Sequence, residues 1–200
     1  MLYLQPNLKK PIQPTMKRVI SYIILMFIIA SCGSNDSYEI DGTLYGGASF
    51  EGETIYMVSF GSSSLEGQDS AVIRNGRFHF EGKVNRPEVC ELRMRPMMRL
   101  FIDRLVLIKE PGHIWVTLNK QSVAHGTALN DSLQHWREYK MGVDSVMFKV
   151  SKKLKRAEGE EREALEQEYD ELRHNFMEFN RQVVLRNDNV FGDYIDRYVR

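Results

Sequence analysis

The sequence has few cysteines and no excess of charge of either sign. Only two of its 200 residues are cysteine, and no Cys-x-x-Cys pair occurs. Thioredoxin-type redox centres use two cysteines at that spacing, so these residues contain no such centre. The 27 basic and 27 acidic residues give a formal net charge of zero. Because nucleic-acid-binding chains carry a basic excess, we expect no nucleic-acid partner.

Motifs of catalysis and of cofactor binding are also missing. The sequence contains no Gly-x-Ser-x-Gly, no phosphate-binding P-loop and no Gly-x-Gly-x-x-Gly. None of its histidines has the His-Glu-x-x-His spacing that brings two imidazoles onto one zinc ion. These histidines are His79, His113, His125, His135 and His174. We therefore expect surface histidines and a protein that is not an enzyme, with no catalytic residue, no cofactor and no metal site.

Two residues that could carry chemistry lie in segments with the period of a β-strand. Cys90 has the same parity as Leu92, so we expect a small buried hydrophobic residue. A reactive thiol would instead need a cation or a helix N-terminus beside it. His79 lies between Phe78 and Phe80, and successive side chains of a strand point to opposite faces. The imidazole of His79 is therefore predicted to face solvent.

An apolar segment near the N-terminus is typical of a targeting signal. Val19–Ala30 contains no charged residue and follows a Lys-Arg pair, as in a secretory signal. It has about a dozen residues, which is short for a helix that spans a hydrocarbon core of roughly 30 Å. Ile29–Cys32, which reads IASC, resembles the lipobox of bacterial lipoproteins. That resemblance predicts a signal peptide over residues 1–31 and lipidation of Cys32. The alternatives are an ordinary signal peptide or a single-span anchor.

Lipidation of Cys32 would place the protein in the cell envelope, with an outer membrane as its partner through the lipid anchor. Each buried methylene contributes about 0.8 kcal/mol and one acyl chain binds only marginally, so stable anchoring requires two or three chains. Residues 1–15 do not fit the start of a signal peptide, because this segment is long and contains three prolines. Met16 is therefore an alternative start, with residues 1–15 a mis-assigned extension.

The segment from residue 38 to residue 126 has the hydrophobic pattern of a β domain. Residues 32–37 before it are short and polar, and we interpret them as a tether between the lipid and the fold. The β segment alternates apolar and polar residues, and turn residues interrupt it into about seven short strands. Asn75-Gly76 is a strong signal for a tight hairpin. This pattern favours an antiparallel β-sandwich or a Greek-key β domain.

Residues 127–200 change to the period of a helix. Apolar residues recur at spacings of four and three in two stretches that Gly159 separates, as in two helices packed side by side. The stripes are Leu129, Leu133, Trp136, Val143, Met147, Val150 and Leu154 in the first stretch, and Leu165, Tyr169, Leu172, Phe176, Phe179 and Val183 in the second. We predict an antiparallel helical hairpin, capped at its start by Asn130 or Asp131, and a short C-terminal helix. The predicted class is α+β.

Several blocks of this sequence together resemble a known family. They are residues 38–42, Asp69-Ser70, residues 75–82 (NGRFHFEG), residues 109–112 (KEPG) and residues 126–131 (GTALND). The chain resembles a domain of unknown function that occurs in envelope lipoproteins of Gram-negative bacteria. In that family the domain commonly precedes a thioredoxin-like (TlpA-like) thiol-disulfide oxidoreductase domain. The matching motifs are turns and strand starts, so the resemblance implies a fold and a location but marks no active site.

These observations support two functions. The first is a non-catalytic, lipid-anchored cell-envelope protein whose β domain is a binding or accessory module, with a protein of the envelope as a possible partner. The second is the N-terminal part of a thiol-disulfide oxidoreductase whose thioredoxin-like domain is missing from this chain. Because the sequence lacks Cys-x-x-Cys, none of that oxidoreductase activity can be assigned to a residue here.

Overall fold

The computed structural model describes residues 36–64, 69–94 and 104–199. The predicted signal peptide, Cys32 and most of the predicted tether lie outside these residues. The strands are β1 (Ser37–Leu44), β2 (Thr54–Ser59), β3 (Asp69–Val72), β4 (Arg77–Lys83), β5 (Glu88–Met94), β6 (Leu105–Lys109), β7 (Gly112–Leu118) and β8 (Val123–His125). A 3-10 helix covers Gly47–Phe50, and the α-helices are α1 (Ala128–Leu154), α2 (Gly159–Arg186) and α3 (Val190–Val199).

The strands form two sheets of four. The first sheet has the order β4-β1-β7-β8, and the second has the order β3-β2-β5-β6. All pairs of neighbouring strands are antiparallel except β1 and β7, which run parallel. The α+β class and the two-sheet β domain are therefore confirmed, with one parallel pair that the sequence pattern did not predict. The short strand β8 and the 3-10 helix were not predicted either.

The main hydrophobic core lies between the two sheets. In β1 the burial alternates along the strand, and Ile40 is fully buried while its neighbour Glu39 is exposed. The core combines side chains of the first sheet, such as Phe80 and Ile114, with side chains of the second, such as Ile55 and Leu107. Because strands such as β1 and β7 bury every second side chain, one face of a sheet can be removed from water.

The predicted hairpin at Asn75-Gly76 is confirmed. Both residues have positive φ values, 50° for Asn75 and 69° for Gly76, as a two-residue hairpin turn of the primed type requires. Arg74 and Arg77 close the turn through a pair of backbone hydrogen bonds of 2.9 Å. The Glu51 carboxylate accepts a hydrogen bond from the Asn75 N–H at 2.7 Å. This local geometry leads into β4 and orients its outward-facing residues.

The helices cover the outer face of the second sheet. A second core joins Ile108 of β6 to Leu133 and Trp136 of α1 and to residues of α3, including Ile195. A third, smaller cluster of Val150, Ala157 and Leu165 holds together the ends of α1 and α2 near their connecting turn. The predicted antiparallel helical hairpin and the short last helix are therefore confirmed. No helix among the described residues is both long enough and apolar enough to cross a bilayer.

The start of α1 differs from the sequence-based prediction, because neither Asn130 nor Asp131 caps it. Thr127 is the N-cap residue, and the cap hydrogen bonds come from the end of β6, where Glu110 accepts the N–H groups of Leu129 (2.9 Å) and Asn130 (3.2 Å). A carboxylate at this position also complements the positive end of the helix dipole. The Asn130 side chain is buried and bonds to the backbone of β6 instead. Local sequence could not reveal this contact between elements.

Candidate functional site

The outer face of the first sheet carries an array of polar side chains next to solvent. Its inner face is committed to the core, so alternate residues of the same strands must point outward. The β1 strand lies at the centre of this face, between β4 and β7. Asp41 is the register partner of His79 on one side and of Trp115 on the other. The sheet therefore gathers residues that are far apart in sequence.

Asp41 holds two imidazoles at once. His79 Nδ1 donates to Asp41 Oδ1 at 2.9 Å, and His113 Nε2 donates to Asp41 Oδ2 at 2.8 Å, with the ring protons assigned to suit these bonds. The hydrogen bond from His79 lowers the pKa of the Asp41 carboxyl, and the hydrogen bond from His113 adds to this effect. The hydrogen bond to Asp41 in turn raises the pKa of His79. All three side chains remain open to solvent.

Two glutamates and an aromatic ring border this cluster. Glu39 Oε2 is 3.7 Å from His113 Nδ1, and Glu81 Oε2 is 3.6 Å from His79 Nε2. Trp115 stacks on the imidazole of His113, with ring centroids 4.0 Å apart and an interplanar angle of 21°. Trp115 is 47% exposed. We call the set Glu39, Asp41, His79, Glu81, His113 and Trp115 the β1 face cluster.

A shallow depression of about 460 Å³ adjoins the β1 face cluster. Asp41 and Trp115 belong to its lining, together with Arg77 of β4 and His125 of β8. Its walls thus combine an aromatic face, a carboxylate, a guanidinium and an imidazole. The depression is open to solvent, and both polar and apolar side chains line it.

We expect replacement of Asp41 by asparagine to lower the pKa of His79. The hydrogen bond to the Asp41 carboxylate is the main factor that raises this pKa, and an uncharged amide favours the imidazolium form much less. The measurement is an NMR pH titration of the imidazole C–H signals in a metal-free buffer that contains a chelator. His135, an exposed residue of α1, is the internal control, and its signals should not differ between the two proteins. An unchanged His79 titration would contradict the geometry described here.

The sequence predicted only part of this site. The exposed position of His79 is confirmed, because parity within β4 determines it. The convergence of His79 and His113 on one carboxylate was missed, since it depends on the pairing of β1 with both β4 and β7. The alternation of side chains along each strand could have predicted that Glu39, Asp41 and His113 face outward. It does not reveal which strands are neighbours. His135 lies on α1 and His174 on α2, so neither belongs to the strands of this face.

The expectation for Cys90 is confirmed. Its side chain lies in the main core and is only 2% exposed. Burial raises the pKa of its thiol to about 12, and the negative charge of Glu88 adds to this effect. A thiol with so high a pKa contains almost no thiolate at neutral pH, and the thiolate is the reactive form. Cys90 is therefore a packing residue.

The fold and this face define a class of protein: a two-sheet β domain with a helical layer on one side and an open polar face on the other. Residues 38–133 match the family model described as Domain of unknown function (DUF4369). This part of the chain is thus similar to that domain of unknown function, as the sequence resemblance indicated, and it includes the whole β1 face cluster. No curated protein and no solved structure shows significant similarity to the chain.

Proposed function

We propose that this chain is a non-catalytic, lipid-anchored protein of the bacterial cell envelope, and that the outer face of its first sheet is a binding surface. The observation that supports a binding role is the β1 face cluster. Its hydrogen bonds join exposed side chains, and exposed polar pairs contribute little to stability. A network that stabilises the fold so weakly, beside a half-exposed tryptophan, is better explained by a ligand or a partner.

The proposed lipid anchor rests on Ile29–Cys32 and on the apolar segment before it. The β domain begins at Ser37, a few residues after Cys32 in sequence. A lipid on Cys32 would therefore keep the β domain close to the membrane surface. This position suits an accessory module for proteins of the envelope better than it suits a diffusible protein.

The anchor can be tested by replacing Cys32 with alanine. We expect the unchanged protein to sediment with the membrane fraction and to show, by mass spectrometry, an acylated N-terminal Cys32. The Cys32→Ala protein should carry no acyl chain and should differ from the unchanged protein in its processing, because the lipobox cysteine is both the lipidated residue and the residue before which the signal is cut. Cys90→Ala is the matched control, since Cys90 is the other cysteine and is buried. It should remain in the membrane fraction with an unchanged lipid.

Two results would overturn the anchor. One is a Cys32→Ala protein that stays membrane-bound and is processed like the unchanged protein. The other is an unmodified thiol at Cys32 in the mature protein. Either result would favour an ordinary signal peptide or a single-span anchor.

The second candidate is the N-terminal part of a thiol-disulfide oxidoreductase. The resemblance favours it, because domains of this kind commonly precede a thioredoxin-like domain. Cys90 cannot supply the chemistry, since its thiol is buried and its pKa is raised to about 12. The redox cysteines would then belong to a separate segment. The DNA that follows the codon of Arg200 separates the two candidates, because a reading frame with a thioredoxin-like Cys-x-x-Cys there would favour the second.

A further inference from the structure

We infer that the β1 face cluster binds one divalent transition-metal ion, with Glu39, Asp41 and His79 as ligands and His113 as the residue that positions Asp41. This inference rests on the proposed binding role of the same face and names the class of ligand. The sequence analysis predicted no metal site, because it searched for ligands at fixed spacings along the chain. The ligands inferred here come from two strands whose pairing that search could not show.

The geometry of the three ligands supports this assignment. One possible ligand atom from each of Glu39, Asp41 and His79 lies within 4.8 Å of the corresponding atoms of the other two. Zinc binds nitrogen and oxygen at about 2.0–2.2 Å. Closure around a metal therefore needs only small movements of side chains that are exposed or half-buried. The β1 and β4 backbones that carry them are held in register by the sheet.

The charge distribution on this face also favours a cation. Glu39 of β1 and Glu81 of β4 are direct register partners, and Asp41 lies two residues further along β1 on the same face. Like charges directly opposite each other across a strand pair are destabilising. The hydrogen bonds of the histidines offset only part of this repulsion. A bound divalent cation would neutralise it and would explain why the sheet places carboxylates opposite each other.

His113 is placed to hydrogen-bond a metal ligand without contacting the metal itself. It contacts Asp41 Oδ2 at 2.8 Å, while His79 contacts the other oxygen, Oδ1. Metal-bound carboxylates are usually held by such a second hydrogen bond, which fixes their orientation. Trp115 stacks on His113 and limits the rotation of its ring. Asp41 Oδ1 can therefore turn to the metal while Oδ2 stays with His113.

The ligand types indicate which metal ions fit. One imidazole nitrogen and two carboxylates suit zinc, manganese, iron, cobalt or nickel. Calcium and magnesium prefer oxygen ligands alone. The described residues place no thiolate near this face, because Cys90 lies in the core. We therefore expect a site for first-row transition metals, with water completing the coordination.

Calorimetric titration with Zn²⁺ tests this assignment on the full chain in detergent micelles. All proteins carry Cys32→Ser, so that a free thiol cannot contribute. We expect one Zn²⁺ per chain, no heat with Ca²⁺, and a loss of affinity of at least about 10-fold in His79→Ala and in Asp41→Asn. His135→Ala is the matched control and should leave the affinity unchanged. At the same zinc concentration, bound zinc should also raise the melting temperature of the protein with Cys32→Ser alone more than that of His79→Ala.

The positioning role of His113 has its own readout. His113→Ala should weaken zinc binding by about 10–100-fold and retain a stoichiometry of one. His113→Gln should restore part of the affinity, because the amide can still donate a hydrogen bond to Asp41. Loss of a merely structural contact would not be rescued in this way.

Two outcomes would overturn the inference. The first is no zinc binding at millimolar concentration, and the second is equal affinity in the unchanged protein, His79→Ala and Asp41→Asn, which would indicate adventitious binding only. Neither outcome affects the fractionation of Cys32→Ala, which involves no metal. Conversely, a Cys32→Ala protein that stays membrane-bound and is processed like the unchanged protein would overturn the anchor and leave the zinc titration unchanged.

Discussion

Replacement of Trp136 by alanine is expected to lower the free energy of unfolding by about 3–5 kcal/mol, the usual range for a buried tryptophan. Trp136 is 3% exposed and lies where α1 meets α3 and β6. Its ring packs edge-on against Tyr194 and Tyr198, with centroid distances of 6.2 Å and 5.1 Å. Urea denaturation followed by circular dichroism measures the change.

The indole nitrogen adds a polar contribution that a second variant isolates. Trp136 Nε1 donates a hydrogen bond of 2.8 Å to Oδ1 of Asn180 on α2, and Asn180 is itself 1% exposed. Trp136→Phe keeps most of the apolar contacts but leaves this oxygen unpaired, which costs about 1–3 kcal/mol. We therefore expect Trp136→Phe to be destabilised less than Trp136→Ala.

The other tryptophan of the chain provides the control. Trp115 is 47% exposed on the first sheet, so Trp115→Ala should change the stability by less than about 1 kcal/mol. If Trp136→Ala and Trp115→Ala were equally stable, the helices would not be packed on the second sheet as described.

Replacement of Asn130 by alanine is expected to be the second most damaging of these changes. The Asn130 amide accepts a hydrogen bond from the Ile108 N–H at 2.9 Å and donates one to the Ile108 carbonyl at 2.7 Å. Since β6 is an edge strand, these backbone groups have no neighbouring strand on that side. Arg137 also covers this edge and donates a hydrogen bond to the Val106 carbonyl. Two side chains of α1 thus replace a missing strand.

Asn130→Ala leaves both backbone groups of Ile108 without a partner in a site that excludes water. Each buried unpaired group costs about 1–3 kcal/mol, so we expect a total loss of about 2–5 kcal/mol. Asn187→Ala is the control, because its half-buried amide makes one hydrogen bond of 2.7 Å, to Val183, and should cost about 1 kcal/mol. The same urea experiment compares the two. A loss in Asn130→Ala no larger than in Asn187→Ala would contradict the role assigned to Asn130.

Local patterns were sufficient to predict most of the elements of this fold, though not β8 or the 3-10 helix. The Asn75-Gly76 turn forms because these two residues accept positive φ values, whatever the rest of the chain does. The outward position of His79 and the burial of Cys90 follow from parity within a single strand. The helical hairpin follows in the same way from two apolar stripes and the turn at Gly159. The family resemblance over the β domain also depended on such local motifs.

Contacts between distant segments could not be predicted in this way. The assignment of Asn130 as a helix cap followed a rule for residues near a helix start, but β6 competes for its amide and Glu110 provides the cap. The convergence of two imidazoles on Asp41 was not predicted either. The β1 face cluster uses one histidine from β4 and one from β7, which meet only because β1 lies between these strands.

The sequence alone thus determined most of the elements, the faces they bury and the N-terminal segment on which the proposed anchor depends, since period, turn residues and apolar length are local properties. Only the tertiary structure decided that β1 pairs in parallel with β7, that α1 covers the edge of β6, and that Asp41 receives two imidazoles. The physical reason is that the pairing partner and the register of each strand depend on which arrangement buries the whole hydrophobic core. Many pairings would satisfy the same alternation, but this pairing places the β1 face cluster at the surface.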